Sequence, residues 1–419
     1  MKVRFYRLIS TYRENLALFS KNARLYLFGA FFASLGFSIF GLLFNLYLKD
    51  TGIKESVIGG IISAGSAATL ITMLPAAHLI PRIHIKSILL FSGVMMLIGY
   101  IAQSTARNES MIIVGAFWAG LFSPLWQLSV APFFMRNSSP RERPYLFSIN
   151  FAISITAGIF GNLIGGFLPT VFTKIGIDTT KAYRLSLLSG VLLASISLVF
   201  FSKLTQDRVS EFEAHNKKPI LVRIREYNWK LIFKLAFPVM LIGAGAGLII
   251  PFLNLYFNKV FMSSSEQIGF YFAVLQVVML IGTLVGPILA KKIGIAESIV
   301  LTEMLSIPFM FILAVTKNLN VALFAFLLRG ALMNMSQPLL TNFEMESVRR
   351  WEQPITNSVI SLGWTLAWTL STYIGGKIIE KSGFGVPFYI AIALYFISSV
   401  IFWAMFGKGE NKNSTCANG

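Results

Sequence analysis

The stretch LFNLYL at Leu43–Leu48 returns as FLNLYF at Phe252–Phe257, an offset of 209 residues in a chain of 419. Chance could produce one such repetition, so its meaning depends on other matches at the same offset. Several exist at 209 or 210 residues: Gly120 with Gly330, Gln127 with Gln337, Phe133 with Phe343, Pro144 with Pro354, and Gly165-Gly166 with Gly375-Gly376. The sequence is therefore one unit written twice.

Long apolar blocks dominate both copies of this unit. Apolar residues make up 55% of the chain and charged residues only 13%, whereas about a quarter of a soluble domain is charged. Blocks of about 20 residues match the thickness of a bilayer core, and a helix satisfies their backbone polar groups there. The sequence predicts an all-α membrane protein with twelve transmembrane helices in two six-helix bundles, at 25–48, 56–78, 88–106, 110–134, 146–170, 183–203, 231–257, 267–290, 297–316, 320–343, 355–378 and 386–406.

The basic residues are distributed unevenly between the two sides of these spans. If both termini are cytoplasmic, 25 of the 36 Lys and Arg lie on that side, 10 lie outside, and Arg329 lies within a span. The positive-inside rule then predicts a multi-pass protein of the cell (inner) membrane with both termini in the cytoplasm. Anionic lipid head groups account for the net charge of +18, so the expected partner is the bilayer and not nucleic acid.

The spans divide the chain into five predicted segments. These are a cytoplasmic amphipathic segment (1–24), an N-terminal bundle (25–203), a cytoplasmic linker (204–230), a C-terminal bundle (231–406) and a cytoplasmic tail (407–419). Segment 1–24 and the end of the linker place apolar residues three or four apart among basic ones, which is typical of helices in the membrane interface. The first part of the linker is equally consistent with a disordered connection. We expect a monomer.

Residues that carry enzymatic, metal or nucleotide chemistry are scarce. The chain has one cysteine, Cys416, and three scattered histidines, His78, His84 and His215. No Walker-type phosphate loop occurs, and no acids, histidines or Ser/Lys pairs cluster within a span. We therefore expect no metal, no cofactor and no enzymatic activity. A membrane receptor or an intramembrane enzyme remains the alternative to a transporter, but a receptor would usually carry an added soluble domain.

Twelve spans, a repeated six-span unit, a long basic middle loop and cytoplasmic termini resemble the major facilitator superfamily. The loop motif of that family, G-x-L-a-D-r-x-G-r-k, is similar to AHLIPRIHIK (77–86) and to GPILAKKIGI (286–295). Pro81 and Lys291 stand where the family has an acid. The resemblance implies the major facilitator fold and a substrate site between the halves that opens alternately to the two sides.

A second motif lies in the fifth span. AGIFGNLIGG (157–166) is similar to the family signature G-x-x-x-G-P-x-x-G-G, which is associated with export by antiport. Small residues four apart also allow helix backbones to approach closely, so tight packing alone is a sufficient reason for the pattern. We expect close helix packing at Gly161, Gly165, Gly166, Gly375 and Gly376.

Two ionisable residues of the second copy lie well inside their predicted spans, away from both ends. A charge in the hydrocarbon region is costly and therefore indicates a partner. Arg329 lies in the tenth span, which lines the central cavity in the family, and Glu303 lies in the ninth, which does not. Two interpretations stay open: Arg329 binds an anionic group of the substrate, or it pairs with Glu303 or nearby carbonyl groups.

The other candidates for the cavity wall are uncharged. Amides and indoles orient a neutral or amphipathic ligand without burying charge, although each is more often a contact between helices. The candidate cavity residues are Trp126, Gln127, Gln276, Arg329, Asn334, Gln337, Trp364 and Trp368. The repeated Asn45, Tyr47, Asn254 and Tyr256 are expected to form an outer gate.

These features predict a secondary active transporter that moves a small organic solute across the membrane by alternating access. An apolar, aromatic and nearly uncharged interior favours the efflux of an amphipathic compound. Uptake or exchange of a sugar or a small organic anion, bound by Arg329 and the amides, is the alternative. A proton or ion gradient is the expected energy source for either direction.

Overall fold

The computed structural model describes residues 18–139, 141–205 and 227–407. The described chain is helical, as predicted, and its twelve long helical segments follow the predicted spans with differences of a few residues at their ends. We number them α1 (Lys21–Asp50), α2 (Glu55–Leu79), α3 (Ile85–Thr105), α4 (Glu109–Asn137), α5 (Arg143–Lys174), α6 (Thr179–Ser202), α7 (Trp229–Phe261), α8 (Ser265–Ile293), α9 (Ile295–Val315), α10 (Leu319–Glu346), α11 (Gln353–Ser382) and α12 (Gly385–Phe406).

The seventh segment is interrupted. It consists of an α-helix at Trp229–Ile249, a 3₁₀ turn at Ile250–Phe252 and a second α-helix at Leu253–Phe261. Pro251 lies within the turn, and proline has no backbone N–H to continue the hydrogen-bond ladder. The proline therefore explains where the α-helix of α7 is interrupted.

Eleven of the twelve segments are long and apolar enough to cross a membrane. The exception is α11, which has 30 residues and is therefore long enough, but is too rich in Ser, Thr and Gly to match the others in hydropathy. The sequence predicted a span here at 355–378, and the structure confirms the helix. Its polar composition distinguishes α11 from every other long helix in the described chain.

Helix starts repeat between the two copies because the residues that cap them repeat. Asn108 accepts a hydrogen bond from the backbone N–H of Met111 (2.8 Å) at the start of α4. Asn318, 210 residues later, accepts from Asn320 (2.9 Å) at the start of α10. An Asn side chain before the first turn satisfies N–H groups that the helix itself leaves unpaired.

Contacts between helices repeat in the same way. Tyr47 donates its hydroxyl hydrogen to the carbonyl oxygen of Ser104 (3.2 Å), and Tyr256 donates to the carbonyl oxygen of Leu313 (2.7 Å). Both partners lie 57 residues after their tyrosine. The duplication seen in the sequence is thus also a duplication of tertiary contacts.

The chain forms two compact units. The first comprises the described residues of Met1–Tyr47 and Ala68–Lys218, and the second comprises those of Leu48–Ala67 and Pro219–Gly419. Tyr26, Phe133 and Phe201 stack in the core of the first unit. The division into bundles at 25–203 and 231–406 stays a prediction.

Three predicted segments fall largely outside the described residues. They are the amphipathic segment 1–24 as far as residue 17, the linker 204–230 over residues 206–226, and the tail 407–419 from residue 408, which includes Cys416. Their predicted properties stay predictions.

Candidate functional site

Arg329 lies on the buried face of α10 and is 6% exposed. Its Nη2 donates a hydrogen bond to the hydroxyl oxygen of Tyr395 on α12 (2.9 Å), and its guanidinium carbon lies 5.7 Å from the centre of the same ring. The buried Nε has no hydrogen-bond partner among the described residues. The aromatic ring and its hydroxyl group are therefore the principal partners of this charge in the structure.

Glu303 is a second buried ionisable residue, on α9, and is 2% exposed. Its Oε2 accepts a hydrogen bond from the Ser399 hydroxyl group (2.8 Å), also on α12. In the described chain Arg329 and Glu303 form no direct ion pair. Instead, each contacts α12, at positions 395 and 399, which lie one helical turn apart.

The two tryptophans of α11 lie together on one face. Their rings are stacked, with centres 6.2 Å apart and planes 23° from parallel. Gly243 of α7 allows the Trp364 ring to approach, since a carbon added there would lie 3.1 Å from it. A carbon added at Gly247, one turn later, would lie 2.7 Å from the carbonyl oxygen of Trp368. The glycines of α7 thus bring its backbone against the Trp364–Trp368 pair, and both rings stay partly exposed.

The amides of the predicted cavity occupy several environments. The Asn334 amide donates a hydrogen bond to the carbonyl oxygen of Gly330 (2.9 Å), so one of its donor hydrogens is already used within α10. Gln337 and Gln127 are exposed, and Gln276 is partly buried. Asn334 and Gln337 lie outside the buried stripe of α10 that contains Arg329.

Trp126 of α4 packs inside the first unit. Its ring lies 5.3 Å from Phe201 and 6.2 Å from Phe37, and Gly93 leaves room for it on α3. The ring is partly buried beside that core cluster. Its membership of a substrate cavity remains a proposal, like that of the other candidates.

The residues proposed as an outer gate are buried near the ends of their helices. Tyr47 accepts hydrogen bonds from Arg184 at 3.2 and 3.4 Å, while Tyr256 packs on Phe384 and Phe388. Asn45 and Asn254 are 5% and 4% exposed. These contacts tie each tyrosine to its own unit, and the gating role stays a proposal.

The glycines of the fifth and eleventh helices lie at close backbone contacts. A carbon added at Gly161 would lie 2.7 Å from the Leu35 carbonyl oxygen, and one at Gly375 would lie 2.7 Å from that of Leu248. Gly165 faces Ile39, which is the counterpart of Leu248 in the first copy. Gly376 faces Glu55 on α2, and Gly166 is buried.

A polar cluster in the second unit was not anticipated from the sequence. Lys259 at the end of α7 pairs with Glu55, and Lys54 lies 3.5 Å from Glu380 of α11. The backbone N–H of Ser56 also donates to Glu380 (3.3 Å). The sequence shows four charged residues at the ends of three predicted spans. Their spacing along the chain does not indicate that these three ends lie next to one another.

Twelve long helices, eleven of which are apolar enough to cross a bilayer, define a multi-pass α-helical membrane protein. A family model gives the class a name: the chain belongs to the Major Facilitator Superfamily, whose model matches residues 26–353. The resemblance read from the sequence is confirmed. A relative described as an uncharacterized membrane protein of Saccharomyces cerevisiae, YJR124C, is 20% identical, and the match covers 92% of this chain and 94% of the yeast protein.

Solved structures share the fold over most of the chain. A crystal structure of the nucleoside transporter NupG has a TM-score of 0.77 at 14% identity, covering 91% of this chain and 100% of that one. A bacterial homolog of the human lysosomal transporter Spinster has a TM-score of 0.71 at 14% identity, covering 91% and 97%. A D-xylose–proton symporter has 0.70 at 14% identity, covering 94% and 97%. At this identity the likeness concerns the fold.

Proposed function

We propose that the protein is a secondary active transporter that moves an amphipathic organic compound out of the cell by alternating access. The main support for this proposal is the polar composition of α11. A helix richer in polar residues than the other long helices of the described chain is suited to line a path for water and solute. On that helix the stacked Trp364 and Trp368 offer a flat apolar surface.

Arg329 and Glu303 have partners within the protein, which supports a ligand that carries no anionic group. Arg329 donates a hydrogen bond to Tyr395, and Glu303 accepts one from Ser399, both on α12. Neither residue therefore depends on a substrate for its partner. The remaining candidates are amides and indoles, which orient neutral or amphipathic compounds. A proton or ion gradient is the proposed energy source, and the proposed form is a monomer in the cell membrane.

The alternative is uptake or exchange of a sugar or a small organic anion. One observation favours it: Nε of Arg329 is buried and has no hydrogen-bond partner among the described residues. An anionic group could accept from that nitrogen. Under this alternative Arg329→Gln abolishes transport of acids, whereas under efflux of amphipathic compounds it leaves dye transport intact.

Removing the two indoles tests the efflux proposal. In cells loaded with rhodamine 6G, a fluorescent amphipathic dye, we expect the Trp364→Ala/Trp368→Ala variant to export dye about tenfold more slowly than the wild type, because two aromatic contacts of about 0.7 kcal/mol each are lost. Trp118→Ala is the matched control, since that indole is 39% exposed on α4. Equal loss in both variants, at equal expression, would contradict a role for the α11 pair.

The orientation of the chain has its own test. Cys416 is the sole cysteine, so a membrane-impermeant maleimide reports one position without further engineering. With cytoplasmic termini we expect labelling only after the cells are opened. Labelling of intact cells would reverse the proposed topology and the assignment of every gate.

A further inference from the structure

An apolar cavity of about 740 Å³ lies within the first unit, beside the start of α1. Its walls are formed by aromatic residues of α1, by Ile149 and Ile153 of α5, and by Phe200 of α6. The Phe200 ring is stacked between those of Phe28 and Phe32, with centres 5.8 Å apart in both pairs. A wall of parallel rings one helical turn apart suits a hydrocarbon chain.

One end of this cavity is basic. Arg24 is the charged residue in its lining. Lys21 lies one turn before Arg24 on α1, and Lys203 lies one turn after Phe200. The two helix ends are adjacent, because Asn22 donates to the Thr205 hydroxyl oxygen at 2.8 Å. Three cationic residues therefore lie on two adjacent helix ends, and one of them, Arg24, lines the cavity.

We propose that this cavity binds an anionic phospholipid of the bilayer, with an acyl chain between the phenylalanines and the phosphate at the basic end. The hydrocarbon walls bury a chain by the hydrophobic effect. Arg24 offers a planar fork of donors for phosphate oxygens, and the lysines add charge. Phe28 is 60% exposed, so the cavity is open on that side for entry of a chain.

Charge complementarity favours this occupant over the chain's own N-terminus. Residues 1–17 include Lys2, Arg4, Arg7 and Arg13 and only one acid, Glu14. A basic segment at a basic cavity end is repelled, whereas an anionic head group is attracted. Anionic lipids also concentrate on the cytoplasmic leaflet, where the start of α1 is proposed to lie. The inference does not depend on which solute is transported.

Photo-crosslinking to the purified full chain tests the site. The probe is phosphatidylglycerol with a diazirine in its acyl chain, and the matched probe is phosphatidylcholine with the same chain. We expect phosphatidylglycerol to label peptides containing Phe28–Phe32 or Phe200. Labelling should fall at least about fivefold in Arg24→Gln/Lys203→Gln, as expected for the loss of charged contacts worth about 1 kcal/mol.

Two further variants keep this test decisive. Lys21→Gln/Lys203→Gln retains Arg24 and should still weaken labelling if the first variant does not fold. Arg107→Gln is the control, because that arginine lines a second apolar cavity, of about 860 Å³, between α3 and α4. Equal labelling by both lipids, or labelling unchanged by the charge variants, would overturn the proposal. So would labelling that arises only after deletion of residues 1–17, since the chain itself would then fill the cavity.

Discussion

Gly375→Val is expected to destabilise the protein by about 3 kcal/mol, the upper part of the range for overpacking. The cause is a backbone clash: an added carbon would lie 2.7 Å from the Leu248 carbonyl oxygen and 3.0 Å from its Cα. Neither atom can turn away as a flexible side chain would. Thermal unfolding of the purified protein in detergent measures the loss, which should appear as a clear fall in midpoint temperature.

Two matched substitutions separate this clash from the general effect of valine in a helix. At Gly41 no atom lies within 4 Å of an added carbon, so Gly41→Val should change stability by less than about 0.5 kcal/mol. At Gly165 the nearest atom is the Cα of Ile39 at 3.2 Å, so an intermediate effect is expected. Equal midpoints for Gly375→Val and Gly41→Val would mean that α7 and α11 are not packed as described.

The second large effect concerns the buried guanidinium. Tyr395→Phe removes the hydroxyl group that accepts from Arg329 and keeps the ring, and should cost about 2 kcal/mol because a buried charge loses its hydrogen bond. Arg329→Met removes the charge as well. In a double-mutant cycle these two changes should be coupled by about 1 kcal/mol or more, since the residues are in contact.

A second cycle decides between the two interpretations of Arg329. The coupling of Arg329→Met to Glu303→Gln should be smaller than its coupling to Tyr395→Phe, because Arg329 and Glu303 form no direct ion pair in the described chain. A larger coupling to Glu303 would favour a direct pair. If Arg329→Met folds normally and keeps dye export but loses transport of organic acids, the guanidinium binds the substrate.

Much of the fold could be predicted from features that are visible in the sequence. Span lengths follow from the bilayer, and the duplication follows from identities at a constant offset. The cap residues Asn108 and Asn318 determine where two of the helices begin. Pro251 lacks the backbone N–H that an α-helix needs, and the structure places the break of α7 at that proline.

The partners of the buried charges could not be predicted in the same way. Tyr395 and Ser399 are ordinary residues of a predicted span, and nothing in their spacing indicates that one binds Arg329 and the other Glu303. These contacts depend on the rotation of α12 about its axis, which an apolar block does not specify. The pairing of Lys259 with Glu55 likewise depends on contacts between residues 204 positions apart.

The most direct test of the central claim is transport by the purified protein alone. Proteoliposomes containing the full chain are given an inward or outward proton gradient, and the movement of rhodamine 6G, uridine, xylose and benzoate is followed in parallel. We expect gradient-dependent movement of the dye that is lost in Trp364→Ala/Trp368→Ala and kept in Trp118→Ala. Movement of uridine, xylose or benzoate without the dye would contradict efflux of an amphipathic compound, and no movement of any of the four under either gradient would contradict the transport mechanism proposed here.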